Sequence, residues 1–211
     1  MTESATPQYQ YSQAEDICNS VTHVIGAILT IYGTYCLVAI STMPSFVICA
    51  LLYGVSVFSM FLVSSVYHAI RDQDVKAFVR KADHAVIYFT IAGTYVPILN
   101  AIASPRAGLI WYCVLGVCAV AGGIFSFISL KHNYVTTIIY LVMGWASLLL
   151  LKDLWGLADP MVAYLLIGGG VAFSIGAGLY LIKKPFVHTV FHIFVLLGVL
   201  FQYLAIRTLY V

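Results

Sequence analysis

Ile17–Ile70 reads ICNSVTHVIGAILTIYGTYCLVAISTMPSFVICALLYGVSVFSMFLVSSVYHAI, 54 residues without one Asp, Glu, Lys or Arg. About 20 apolar residues carry a helix across a bilayer core, so this run is too long for one crossing. Its single turn-like cluster is Ser41-Thr42-Met43-Pro44-Ser45. The stretch therefore predicts two spanning helices, near 20–41 and 46–69. The whole chain agrees: of 211 residues, 62% are hydrophobic and 9% charged. A soluble domain carries roughly 25% charged residues. No soluble fold of this size hides so much apolar surface, so the solvent is lipid.

Outward from that stretch, charges act as punctuation. Further uncharged runs cover 84–105, 107–130, 132–151, 160–182 and 185–206, each long enough for one span. Pro105-Arg106, Lys131-His132-Asn133, Asp159-Pro160 and Lys183-Lys184-Pro185 separate them. The expected fold is an all-α membrane protein, a seven-transmembrane helix bundle with short loops. Residues 1–19 form a short cytoplasmic N-terminal segment and 20–211 a single seven-helix domain. A β-barrel is excluded because the runs are continuous rather than alternating. The first twenty residues include Glu3, Glu15 and Asp16 but no Lys or Arg. They lack the basic start of a signal peptide, so the first span is expected to serve as an uncleaved insertion signal.

Loop charges set the expected orientation. One side holds Arg71, Lys76, Arg80, Lys81, Lys131, Lys183 and Lys184; the other holds Arg106, Lys152 and Arg207. That seven-to-three split places the N-terminus in the cytoplasm and the C-terminus outside. The net charge of +2 is small and dispersed, which argues against a nucleic-acid partner. Cys18, Cys36, Cys49, Cys113 and Cys118 form no CxxC pair. They read as small buried apolar residues rather than as disulfides or ligands.

Against this background, four ionisable residues stand out. His68 closes the second span, Asp83 opens the third, and His188 and His192 open the seventh. Ionisable groups within spanning segments are costly and usually functional. In an alternating bundle all four fall at the cytoplasmic end. Three imidazoles and a carboxylate are the residue types of a catalytic zinc site. His188 and His192 are four apart, so their rings project from one helical face, one turn apart. Two polar residues hydrogen-bonded near the interface would look the same. Ser64 lies one turn before His68 on the same face, where a small packing residue is also common. The competing reading of Asp83 is an N-cap for the third helix.

Glu15, Asn19, Thr22 and His23 lie mostly along one face of the first helix. His23 remains open as a fourth ligand, an outer hydrogen-bond donor or a packing residue hydrogen-bonded to Glu15 or Asn19, the latter two favoured. His84 points roughly 100° away from Asp83 on a helix and does not share its site. His132, beside Lys131, reads as solvated. Gly93-Thr94-Tyr95-Val96-Pro97 predicts a kink in the third helix. Gly168-Gly169-Gly170, Gly176 and Gly178 predict close approach by the sixth. The tyrosines are expected at the membrane interfaces.

Taken together, Glu15-x3-Asn19-x2-Thr22-His23-x2-Gly26, Ser64-x3-His68, Asp83-His84 leading to Ala92-Gly93-Thr94-Tyr95-x-Pro97, and His188-x3-His192 resemble the hemolysin III proteins. These are the bacterial branch of the progestin and adiponectin Q receptors, more distantly related to alkaline ceramidases. The resemblance covers nearly the whole chain in order. It implies seven helices, an intracellular N-terminus and a zinc ion, in the bacterial inner membrane. It implies that His68, His188 and His192 are the Zn2+ ligands, that Asp83 contacts the zinc-bound water, and that Ser64 lies beside it. One departure concerns Gln202, which stands where related sequences often carry a histidine. That position lies about 15 Å along the helix from His192, so it bears on an outer polar relay rather than on the ligand set.

The function expected on this basis is hydrolysis of a lipid-like amide or ester through the zinc-bound water, with membrane lipids as partners and source of substrate. Two other readings stay open: a sensor or regulator of membrane state with structural zinc, and a pore-forming cytolysin. The pore is the poorer fit, because charge is almost absent away from one end of the bundle.

Overall fold

In a computed structural model, residues 10–128, 133–150 and 159–211 are described. Lys131, His132 and Lys152 lie outside the described residues. Among the described residues there are seven α-helices and no strand. They are α1 (Gln13–Ile40), α2 (Pro44–Ala69), α3 (Gln73–Ile102), α4 (Pro105–Ile128), α5 (Asn133–Trp145), α6 (Pro160–Tyr180) and α7 (Val187–Tyr210). All except α5 are long and apolar enough to cross a membrane, giving six such helices where seven spans were expected. After α5 the chain tightens into a 3₁₀ helix, Ala146–Leu150. Thirteen α residues and five 3₁₀ residues rise about 30 Å together, close to the thickness of a bilayer core. The chain is a multi-pass membrane protein.

Two helices begin well before their uncharged runs. The first starts at Gln13 rather than near 20, because Ser12 and Glu15 form a capping box. Such a cap stabilises a helix end by about 0.5–2 kcal/mol. The third starts at Gln73, so Lys76, Arg80 and Lys81, read from sequence as loop charges, lie on the helix. Asp72 caps it, its carboxylate accepting from the Asp74 and Val75 amides at 3.1 and 2.9 Å. Asp83 therefore sits eleven residues into α3, and the N-cap reading of Asp83 is overturned. The physical reason is general: absence of charge marks the stretch in hydrocarbon, whereas a helix continues into the polar interface while caps and propensity allow.

The α1–α2, α2–α3 and α6–α7 pairs pack extensively, and α1 also meets α7. This arrangement brings the end of α2 and the starts of α1 and α7 together. Gly169 supports the α6–α7 approach: a Cβ there would lie 3.3 Å from the Gly198 carbonyl. Gly178, expected to do the same, faces open space. Pro97 lies inside α3, which continues to Ile102. Two expectations on composition change. Of the five cysteines only Cys49 is buried, while Cys113 and Cys118 are exposed on α4. An outward apolar face meets lipid, so a cysteine there costs nothing. Nor are the tyrosines confined to interfaces: Tyr53, Tyr88 and Tyr95 are buried. Tyr95 donates to the Met143 carbonyl at 2.7 Å, and Tyr140 to that of His84 at 2.6 Å. A buried phenol ordinarily needs such an acceptor.

Candidate metal centre

His68 sits in the last turn of α2, and His188 and His192 occupy the first two turns of α7. One ring nitrogen from each lies within 4.8 Å of the others. The i, i+4 pair presents Nε2 to Nε2 at 3.1 Å. Nitrogens bound at 2.0–2.1 Å to a tetrahedral zinc stand about 3.3 Å apart. Two imidazole nitrogens at 3.1 Å require a proton or a cation between them, since facing lone pairs repel. The Nε2 atom of His68 is buried without a protein partner. The three side chains thus fit a metal ion by residue type, spacing and an unsatisfied buried nitrogen.

Helix α1 fixes how two of these rings present themselves. Nδ1 of His192 lies 3.1 Å from the Asn19 carbonyl and 3.2 Å from Thr22 Oγ1. A carbonyl only accepts, so Nδ1 carries the proton and Nε2 keeps its lone pair. Nδ1 of His68 lies 2.9 Å from Asp16 Oδ1. A carboxylate likewise forces the proton onto Nδ1. The Asn19 amide nitrogen, 3.5 Å from the same Nδ1, is then a neighbour rather than a donor to it. Asn19 is held from α7 by Thr189, whose hydroxyl donates to Oδ1 at 2.6 Å. Glu15, beyond its cap, accepts from the Phe186 amide at 3.0 Å. Phe186 adopts a left-handed conformation, φ 58°, at the entrance to α7. Glu15 thereby ties the turn that aims His188 and His192 to the start of α1.

Asp83 and Ser64 line a cavity of about 180 Å³ together with His23, His84, His188 and His192. The Ser64 hydroxyl lies within hydrogen-bonding reach of the Asp83 carboxylate. Beyond the histidines the cavity wall turns apolar, with Ile87, Ile91, Leu166, Phe173, Val195 and Val199. It continues to Ile98 and Gln202. Asp83 and Ile98 are fifteen residues apart, about 22 Å along α3. Gln202 thus stands at the far end from the histidines, as its spacing implied.

His23 is not in the three-nitrogen cluster. Its ring stacks on that of His192 at 3.6 Å between centroids and 18° between planes. His23 thus packs, as one favoured reading had it, but both its ring nitrogens are buried without a hydrogen-bond partner, so the expected bond to Glu15 or Asn19 is absent. His84 also lies outside the cluster, and its Nε2 is 3.4 Å from the Tyr180 hydroxyl. It nevertheless lines the same cavity, which the angle from Asp83 did not suggest.

Sequence reasoning missed Asp16, Lys76 and Tyr11. Asp16 bonds His68 and is itself bonded by Lys76 Nζ at 2.7 Å. The signal was present: Asp16, Asn19 and His23 follow a 3, 4 spacing along one helical face. The reading followed the face of Glu15, Asn19 and Thr22 instead, and Asp16 lies about 100° round the helix from Glu15. Tyr11 precedes α1 and packs its ring on His188 and His68, centroids 4.9 and 5.5 Å away. Burial holds its phenol well above the ordinary range, so it stays protonated. Nothing in its sequence neighbourhood pointed to that contact.

Residues 11–203 match the family model described as Haemolysin-III related. The chain is 34% identical to Hemolysin-3 of Bacillus cereus over 203 residues, covering 94% of this chain and 92% of that one. It is 33% identical to the Hemolysin-3 homolog of Bacillus subtilis (strain 168), covering 87% and 89%. It is also similar to the human monocyte to macrophage differentiation factor, at 29% identity over 96% of this chain and 87% of that protein. The matched span contains the three clustered histidines, Asp83 and Ser64, and the chain belongs to the haemolysin-III related family.

Proposed function

We propose that this protein is a zinc-dependent hydrolase of lipid-like amides or esters, set in a bacterial inner membrane with its N-terminus cytoplasmic and its C-terminus outside. The observation that carries the reading is the junction of two features. Three histidine nitrogens within 4.8 Å of one another stand beside a largely apolar cavity that also contains Asp83 and Ser64. His68, His188 and His192 would hold the ion. A bound zinc supplies an acidified water and a Lewis acid toward a carbonyl.

The remaining chemistry belongs to the side chains. Asp83 accepts a proton from the attacking water and returns it to the departing amine or alcohol. Ser64 orients that carboxylate, or donates to the carbonyl oxygen as it gains charge. The apolar wall takes the acyl chain and excludes bulk water. Hydrolysis consumes one water and yields a carboxylic acid plus the amine or alcohol. A structural role has one observation in its favour: the ligands come from α2 and α7, which an ion would tie together.

Purified protein in lipid nanodiscs, prepared without chelator, tests the proposal. About one zinc per chain is expected, with cleavage of long-chain N-acyl amides or esters that stops on chelation and returns with zinc. Absence of zinc removes the metal reading. Zinc at full occupancy with no cleavage across both substrate classes leaves the structural role.

A further inference from the structure

We infer that Asp16 is a positioning residue for the metal centre, and that Lys76 holds it in place, forming a relay from α3 through α1 to His68 on α2. The inference rests on the metal reading above but not on catalysis. Ligating histidines ordinarily give their second ring N–H to a carboxylate or carbonyl, which fixes the tautomer and strengthens the ligand. The His68 ring is arranged in that way. Its Nδ1 faces Asp16 Oδ1 at 2.9 Å, and its Nε2 is buried with no protein partner on the opposite side of the ring. One other ring of the cluster follows the same pattern, since His192 gives its Nδ1–H to the Asn19 carbonyl, whereas Nδ1 of His188 is buried without a hydrogen-bond partner.

The second Asp16 oxygen explains Lys76. Its Nζ lies 2.7 Å from Asp16 Oδ2, while its ammonium also sits 5.4 Å from the centroid of the Tyr67 ring. Tyr67 immediately precedes His68 and packs edge-on to it at 4.7 Å. Lys76 therefore grips both the carboxylate and the residue adjoining the ligand. Asp16 has one oxygen on each partner, so neither can rotate it away without losing a charge-assisted hydrogen bond. An Arg or Lys elsewhere in the interface could satisfy the positive-inside bias equally well. Only a cation reaching Asp16 does this work.

Zinc affinity of the full-length protein in detergent or nanodiscs, by competition with a chromophoric chelator, reads the relay without any substrate. Asp16→Asn keeps the shape, removes the charge and is expected to weaken zinc binding about 10–100-fold. Lys76→Met is expected to weaken it less. The double variant should be no weaker than Asp16→Asn alone, because Lys76 acts through Asp16. Cobalt-substituted Asp16→Asn should show an altered d–d absorption spectrum, which a loss of fold stability alone would not produce; Asp16→Glu should restore part of both signals. Wild-type affinity and cobalt spectrum in Asp16→Asn would overturn the inference while leaving the metal reading intact. Should Asp16→Asn fail to fold, unchanged zinc affinity and spectrum in Lys76→Met would overturn the relay. Wild-type protein that binds no zinc would overturn both.

Discussion

Asp83→Asn separates chemistry from architecture at one atom. The side chains have nearly the same volume, so no cavity opens beside Ser64. Helix stability should not change either, because α3 is capped by Asp72, eleven residues or about 16 Å of helix away. The proposed ligand set is three histidines without Asp83, so zinc content should stay near one equivalent. What is lost is a group able to take a proton, and removing a positioned acid–base group costs about 10²–10⁴ in rate. At 1.36 kcal/mol per tenfold, that is about 3–5 kcal/mol of transition-state stabilisation. Single-turnover cleavage of a long-chain acyl amide or ester by zinc-replete protein in nanodiscs measures it. The contrast is Asp72→Ala, which should cost about 0.5–2 kcal/mol of stability as a lost cap and leave the rate of folded protein unchanged. A zinc-replete Asp83→Asn protein with wild-type cleavage would refute the assignment of Asp83 as the proton acceptor. Equal rate losses in both variants would show that the effect comes through α3 as a whole.

Three further outcomes are expected. His188→Ala should lose most of the zinc, read by metal analysis of purified protein; full retention would remove His188 from the ligand set. Zinc affinity should fall as pH drops, because the ligands must be neutral and protons compete; chelator competition across pH 5–8 checks the sign. Gly54→Ala would place a Cβ 2.6 Å from Thr34 Cγ2, between α1 and α2, and should lower thermal stability in detergent by about 1–3 kcal/mol, partly recovered by Thr34→Ala.

The seven helices and the identity of the clustered histidines were legible in the sequence for physical reasons. Charge is so costly in hydrocarbon that a 54-residue run without it must cross twice, and an imidazole retained at its end needs a purpose. The i, i+4 spacing of His188 and His192 likewise fixes a shared face as soon as the helix forms. Hydropathy could not locate the helix starts at Gln13 and Gln73, since caps set those and lie outside the apolar run. That error left Asp83 open to misreading as a cap. Nor could local pattern reveal the 3₁₀ winding after α5, the cavity shared by His84 and Asp83, or the stacking of His23 on His192. These depend on helix rotation and on contacts between residues far apart in the chain, as in the Asn19–Thr189 bond across 170 positions. Sequence determined which residues lipid would not tolerate without compensation. Tertiary structure decided which neighbour compensates each one, because a hydrogen bond requires a direction and a distance near 3 Å that no one-dimensional spacing specifies.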